Sequence, residues 1–425
     1  MQRGRSRWRK LAPACAVVVA ACAVSAGCSG SGGSTRPGTT AASARPAATA
    51  ASGTRAASAS RGGAGTAPPA GSPTTASAAA ACVAQVLGTL TLAQRVGQLF
   101  VVGVDGDDAG PQLTAAERQY HFGSLLLTET SAGTAVLAAR TAGMQELAPS
   151  ATGGVRFFVA ANQEGGQVQQ LTGPGFAAMP SELEQGSWST AELRTEASDW
   201  GRDLRAAGVN LDLAPVMDVV PPGTAAGNAP IGALDREFGF DPATNGEHGA
   251  AFIRGMAAAG VMTVAKHFPG LGRVTGNTDF TSDVVDNVTT ANDPYLNSYR
   301  AAISAGVPMV MVALATYTKI DPSRLAVFSP TVMRLLRSGL GFGGVIVSDD
   351  LGDAQAVQSM AAGTRATDFL TAGGDLITSQ SLGPAEQMAA AVVAKASAST
   401  AFQATVNAAA RQVLTAKQAA GLLPC

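Results

Sequence analysis

Short apolar runs alternate with longer stretches of helical periodicity from about residue 82 to the end of the chain. The runs are rich in β-branched residues and continuously apolar, which is typical of strands buried on both faces of a parallel sheet. We predict eight such strands, at residues 98–104, 123–128, 155–162, 209–215, 261–266, 308–314, 343–349 and 374–379.

Alanine-rich segments with helical periodicity lie between these runs, and several end in glycine, as helices often do. Clear examples are residues 134–148, 198–208, 245–260 and 296–306. Eight strand–helix repeats predict an α/β protein with a single (β/α)8 TIM-type barrel over residues 82–425. A doubly wound open sheet is the alternative fold.

The beginning of the chain has a different pattern. A basic stretch, MQRGRSRWRK, is followed by an apolar stretch, LAPACAVVVAACAV, which is typical of an export signal and short for a permanent membrane span. The stretch SAGC that ends it resembles a lipobox. We therefore predict a lipoprotein signal peptide at residues 1–27 and lipid attachment at Cys28, with an ordinary secretory signal as the alternative.

Residues 28–81 are rich in Ala, Gly, Ser, Thr and Pro. From residue 29 to residue 80 there is no Val, Ile, Leu, Met or aromatic residue. Such a segment cannot bury enough apolar surface to offset its chain entropy, so it is predicted to be a disordered tether. An exported protein that is lipid-anchored to the outer face of the cell membrane fits this arrangement.

Charge and cysteine content bear on the binding partners of the protein and on its disulfide bonding. A net charge of −1 gives no sign of the basic surface that binds nucleic acid. We also expect a monomer. Cys15 and Cys22 would leave with the signal peptide. Cys82 and Cys425 then stand at the two ends of the folded part, where an exported protein is expected to join them in a disulfide. Two free thiols are the alternative.

Polar, loop-forming stretches follow four of the predicted strands. They are NQEGGQVQQ after the third, APVMDVVPPG after the fourth, KHFPGLG after the fifth and SDDLGD after the seventh. Any one of them could be a turn, and Asp349-Asp350 alone could cap a helix. Together they would meet at the carboxyl ends of the strands, where barrel enzymes have their active sites.

The chain lacks the residues that several other kinds of chemistry require. The chain has only three histidines and no H-E-x-x-H motif, so no metal is expected. The stretch GLGRVTG mimics a dinucleotide fingerprint, but its last glycine comes one place late. What remains is a set of carboxylates near the predicted rim, and carboxylates in a cleft suggest glycoside hydrolysis of a carbohydrate substrate. They are Glu164, Asp212, Asp218, Asp279, Asp349 and Asp350.

Six stretches together resemble family 3 glycoside hydrolases, in particular the bacterial β-N-acetylhexosaminidases that remove N-acetylglucosamine from muropeptides or chitin fragments. The stretches are LTLAQRVGQLFVVG, NQEGGQVQ, NLDLAPVMDV, DREFGFDP, KHFPGLG and VIVSDDLG. The resemblance implies a single-domain barrel, a retaining mechanism and no cofactor.

The resemblance also implies roles for individual residues. Asp349 falls on the catalytic nucleophile of the family. Lys266 and His267 match a pair that hydrogen-bonds sugar hydroxyls, and Arg236 matches a sugar-contacting arginine. The alternatives are a structural loop role for His267 and a surface ion pair for Arg236 with a neighbouring acid.

Two other sugar-binding positions depart from the family pattern. Asn162 stands where the family usually has Asp, and Gln170 stands where it usually has Arg. The amides keep hydrogen-bonding capacity but lose charge. Glu164, in the same stretch, is also predicted to bind substrate.

The general acid/base is the largest departure. The family branch has a histidine where this chain has Leu271, and a D-S-H triplet where it has Asn277-Thr278-Asp279. Asp279 is the candidate acid/base, with Asn277 as the candidate orienting residue. The alternatives are that Glu164 supplies the proton, or that the protein binds glycan without turning it over.

Overall fold

Eight parallel strands form a closed barrel in the computed structural model, which describes residues 75–105 and 111–425. Each strand pairs with its neighbour in the chain, and the first closes on the last. The predicted barrel and all eight predicted strands are confirmed, and the open-sheet alternative is wrong. The strands are β1 (Phe100–Val104), β2 (Ser124–Leu127), β3 (Phe158–Ala161), β4 (Leu211–Asp212), β5 (Met262–Phe268), β6 (Met309–Val312), β7 (Val345–Asp350) and β8 (Leu376–Ser379).

Two strand ends differ from the prediction. β4 ends at Asp212 rather than at residue 215, where Pro215 has no N–H to donate to a ladder. β5 continues through Lys266 and His267 to Phe268, so the pair lies in the strand and not in the following loop. The side chains of both residues are buried. Their position is therefore fixed by the barrel itself.

Helices surround the barrel, and the predicted helices at residues 134–148, 198–208, 245–260 and 296–306 are all confirmed. Side-chain caps start several of them; Asp241 accepts hydrogen bonds from the N–H groups of Ala243 and Thr244, for example. The helices are Thr75–Thr89, Leu92–Gly97, Pro111–Tyr120, Thr134–Gln145, Ala148–Ala151, Glu182–Gln185, Thr190–Ala206, Pro242–Ala258, Asn297–Ser304, Pro330–Arg334, Ala362–Ala372, Leu382–Ala398 and Thr400–Ala419.

The folded part begins earlier than predicted. The helix Thr75–Thr89 starts seven residues before Cys82, so the predicted tether boundary at residue 81 is too late. Alanine has the highest helix propensity, and the helix buries Val83 and Val86 in the main core. The predicted signal peptide, Cys28 and the rest of the tether lie outside the described residues.

Short strands add two small sheets beside the barrel. Gln163–Gly165 pairs with Val168–Gln169 directly after β3, and Thr316–Tyr317 pairs with both Val285–Asp286 and Asp321–Leu325. Within residues 75–105 and 111–425, no helix is long and apolar enough to cross a membrane.

A disulfide bond joins Cys82 of the first helix to Cys425 at the end of the chain. The two Cα atoms are 6.0 Å apart and the residues are 343 positions apart in sequence. The bond closes a loop around the whole barrel. In the chain-entropy description, such a loop restricts the unfolded chain far more than the folded one.

Replacing both cysteines with serine is expected to lower the free energy of unfolding by up to about 5 kcal/mol. Denaturant unfolding of the oxidised protein and the double variant measures the difference. Non-reducing peptide mapping should recover the two cysteines in one linked fragment. Quantitative labelling of both thiols in the unreduced exported protein would contradict the bond.

Candidate active site

An ion-pair network lies at the carboxyl ends of β3 and β5. Arg236 holds Glu164 through two hydrogen bonds of 2.8 Å, from Nε to Oε2 and from Nη2 to Oε1. Lys266 Nζ is 2.6 Å from Glu164 Oε1. Arg236 therefore faces into the site, and its interpretation as a surface pair with Asp235 or Glu237 is wrong.

This network determines the protonation of Glu164. Burial alone would raise the pKa of its carboxyl group, but the charges and hydrogen bonds of Arg236 and Lys266 lower that pKa to about 2. A carboxylate that stays ionised at neutral pH has no proton to give. The geometry thus argues against the alternative in which Glu164 is the general acid.

The amide side chains of Asn162 and Gln170 take part in the same network. Asn162 Oδ1 accepts a hydrogen bond of 2.9 Å from Lys266 Nζ. Gln170 Oε1 accepts one of 3.2 Å from the N–H of Asn162. The contacts to Glu164 and Asn162 use two of the three N–H groups of the Lys266 ammonium. The amides therefore fill their positions without adding charge.

His267 is held by Asp218, which follows β4. Its Nδ1 is 2.8 Å from Asp218 Oδ2, and the other carboxylate oxygen accepts from the Tyr299 hydroxyl at 3.1 Å. Asp218 also accepts from the N–H of Leu271 at 2.7 Å. The imidazole is thus oriented by Nδ1, while Nε2 has no protein partner in the described part of the chain.

Asp349 and Asp350 at the end of β7 have different environments. Asp350 is buried and accepts hydrogen bonds from the N–H groups of Gly352 and Gln380, at 2.9 and 3.0 Å. Burial raises the pKa of Asp350 to about 7. Asp349 is only partly buried, and its Oδ1 accepts from the N–H of Asp350 at 2.8 Å. Asp350 shapes the turn, and Asp349 is the member of the pair that remains accessible.

The loop that follows β5 is fastened to the segment that follows β7. The carbonyl groups of Thr278 and Asp279 accept hydrogen bonds from the N–H groups of Ala356 and Gln355, both at 3.1 Å. Asn277 Oδ1 accepts from the N–H of Asp279 at 2.9 Å. Asn277 therefore orients the backbone of Asp279, whereas Leu271 is buried in the core.

The carboxyl group of Asp279 has a perturbed pKa. Asp279 is an exposed residue of this loop. Even so, the protein around the carboxyl group and then the negative charge on Asp349 raise the pKa of Asp279 to about 6. One carboxyl group of the site can thus keep a proton under mildly acidic conditions, next to a second carboxyl group that is partly exposed. This pairing of carboxyl groups is the chemical requirement of retaining glycoside hydrolysis.

Sequence reasoning missed the residues that support this site. The sequence pattern predicts no role for Tyr299 or Glu182, and it places Asp212 and Asp218 only near the rim. Each lies far from its partners in the chain, so no spacing rule could identify it. Among the described residues there is no group of three or more His, Cys, Asp or Glu side chains that could hold a metal.

A (β/α)8 barrel with a carboxylate-lined site at its C-terminal end is the architecture of many sugar-cleaving enzymes. The family profile described as "Glycosyl hydrolase family 3 N terminal domain" matches residues 91–416. The chain therefore belongs to glycosyl hydrolase family 3, as its six motifs indicated, and is a glycosidase.

Several beta-hexosaminidases are similar to this chain over most of the barrel. Beta-hexosaminidase LpqI of Mycobacterium tuberculosis is 33% identical over 287 residues, which cover 64% of this chain and 69% of the relative. A beta-hexosaminidase of Xanthomonas campestris is 32% identical over 66% of this chain and 83% of its own length. The crystal structure of a beta-N-acetylhexosaminidase from Beutenbergia cavernae has a TM-score of 0.75 and 48% identity, and the match covers 77% of this chain and 98% of that one.

Proposed function

We propose that the protein is a retaining hydrolase of terminal β-linked N-acetylhexosamine, such as the N-acetylglucosamine of muropeptides or chitin-type oligosaccharides. The observation that carries the proposal is the proximity of Asp279 to Asp349. Asp349 is partly exposed, and the raised pKa of Asp279 suits a general acid. The names of the similar proteins support N-acetylhexosamine as the sugar.

In the first step, a carboxylate oxygen of Asp349 attacks the anomeric carbon. The bond to the leaving oxygen breaks as Asp279 donates its proton to that oxygen, and a glycosyl ester on Asp349 results. In the second step, the Asp279 carboxylate takes a proton from a water molecule as that water attacks the same carbon. Asp349 is released, and Asp279 regains its proton.

The ion-pair network would bind the sugar. Lys266 has one N–H group left after its contacts with Glu164 and Asn162, and His267 presents Nε2. Arg236, Asn162 and Gln170 complete the proposed sugar-binding set together with Glu164. Because the amides carry no charge, we expect the sugar hydroxyl groups to be held mainly by Lys266 and His267.

A panel of aryl glycosides tests the proposed activity. The purified protein should hydrolyse an aryl N-acetyl-β-glucosaminide in preference to the matching β-glucoside and β-xyloside. Preference for the glucoside would replace the N-acetylhexosamine assignment with another β-glycosidase activity. Binding of N-acetylglucosamine oligomers without hydrolysis of any glycoside would favour a non-catalytic glycan-binding protein.

The proposal includes a membrane-anchored location, for which the motif around Cys28 is the support. A lipobox product carries more than one acyl chain, and a single chain would hold a protein only weakly. Cys28→Ala is expected to release the protein from the membrane fraction or to block its processing, with unchanged melting of the barrel. Cell fractionation measures this, and membrane binding equal to that of the parent protein would exclude the anchor.

A further inference from the structure

Two buried carboxyl groups lie near the ion pair between Lys266 and Glu164, and the proposed reaction uses neither. They belong to Glu182, in the short helix Glu182–Gln185, and to Asp212, the last residue of β4. Both residues are buried, with exposed fractions of 1% and 0%. Burying a carboxyl group is costly unless it makes strong contacts or stays neutral.

Each carboxyl group makes a similar hydrogen bond to the backbone. Glu182 Oε1 accepts from the N–H of Val216 at 3.0 Å. Asp212 Oδ1 accepts from the N–H of Gln163, also at 3.0 Å. The second oxygen of each, Oε2 and Oδ2, has no hydrogen-bond partner among the described residues.

The backbone groups held in this way flank the two partners of the ion pair. Val216 pairs with Lys266 as an isolated parallel bridge, and the next residue, Met217, donates its N–H to the carbonyl of Lys266 at 2.6 Å. Gln163 stands between Asn162 and Glu164, whose side chains both contact Lys266. Glu182 therefore holds the segment that pairs with the strand of Lys266, and Asp212 holds the strand that carries Glu164.

We propose that Glu182 and Asp212 are positioning residues that hold Lys266 and Glu164 in register for sugar binding, and that they do so as neutral acids. The inference rests on the proposed role of Lys266 in binding the sugar. Burial, and to a smaller extent the negative charge of Glu164, raises the pKa of both carboxyl groups well above the ordinary range. A protonated acid keeps the oxygen that accepts from the backbone and adds no negative charge to compete for Lys266.

Matched amide and alanine variants test the proposal. Glu182→Gln and Asp212→Asn keep the accepting oxygen and are neutral, so both should retain wild-type kcat/KM on the aryl N-acetyl-β-glucosaminide. Glu182→Ala and Asp212→Ala remove the acceptor, and kcat/KM should fall by about 10²-fold, as expected for a displaced binding group. Thermal melting of each variant monitors folding.

The outcomes separate a positioning role from the alternatives. Amide variants as inactive as the alanine variants would mean that ionised carboxylates are needed, and this would overturn the proposal. Fully active alanine variants would overturn it as well. If the alanine variants fold poorly, Glu182→Met and Asp212→Leu replace them in the same assay. These side chains fill the volume of the acid but lack the oxygen that accepts the backbone hydrogen bond.

Two measurements test the positioning role without depending on the proposed hydrolytic activity. Crystal structures of the amide variants should preserve the contact between Lys266 Nζ and Glu164 Oε1, whereas the variants that lack the acceptor should lengthen it. N-acetylglucosamine binding, measured by calorimetry, should weaken in parallel. If the wild-type protein hydrolyses no glycoside, the proposed function fails, but these two measurements still decide whether Glu182 and Asp212 position Lys266.

Discussion

Asp349→Asn is expected to abolish turnover of every glycoside substrate, with a loss on the order of 10⁴-fold or more, because the covalent intermediate then has no nucleophile. Asp350 cannot replace Asp349. Its two carboxylate oxygens accept hydrogen bonds from the N–H groups of Gly352, Asp353 and Gln380, and its side chain is buried in the turn. The loss should affect kcat for activated and natural substrates alike.

Two measurements check the role of Asp349. Steady-state kinetics compare the wild type with Asp349→Asn and with Asp283→Asn, a matched substitution at an exposed loop position outside the site. A fluorinated sugar with a good leaving group should also trap a glycosyl ester, which peptide mass spectrometry should find on Asp349. A trapped ester on another carboxylate would assign the nucleophile elsewhere.

Asp279→Asn is expected to separate the two steps of the reaction. A good leaving group such as dinitrophenolate needs no proton, so the glycosyl ester should still form, whereas its breakdown should be slow because the attacking water lacks a base. The variant should show a burst of product, and azide, which needs no base, should speed turnover. Natural disaccharides should be cleaved about 10²–10⁴-fold more slowly, the usual contribution of general acid catalysis.

The pH dependence of the wild type provides an independent check on Asp279. The first step needs Asp279 protonated, and its pKa is raised to about 6. Activity on substrates with poor leaving groups should therefore be retained below about pH 6 and fall as the pH rises through that pKa. In Asp279→Asn this alkaline limb should disappear.

Other outcomes would identify a different proton donor. Equal losses on activated and natural substrates, with no effect of azide, would exclude Asp279 as the acid/base. Glu164→Gln would then be the next variant, although the contacts of Glu164 with Arg236 and Lys266 favour a binding role. An unchanged pH profile in both variants would assign the proton donor to another group, whereas glycan binding with no hydrolysis by the wild type would support a non-catalytic protein.

The sequence by itself determined the barrel and the face that carries the site. Strands buried on both faces must be apolar along their length, so their pattern is visible without any tertiary information. The polar stretches after β3, β4, β5 and β7 were equally visible, because parallel strands in a closed barrel place their carboxyl ends at one rim. The start of the first helix was not visible, since the alanines before Cys82 are as compatible with a tether as with a helix that packs on the barrel.

Only the tertiary structure decided the environment of each carboxyl group. Glu164, Asp279 and Asp350 are chemically similar in the sequence, yet two cations lower the pKa of Glu164 to about 2, while burial raises that of Asp350 to about 7. The partners responsible come from distant positions; Arg236 is 72 residues from Glu164. A pKa depends on burial and on charges within a few ångströms, and both are set by chain closure around the barrel rather than by neighbours in sequence.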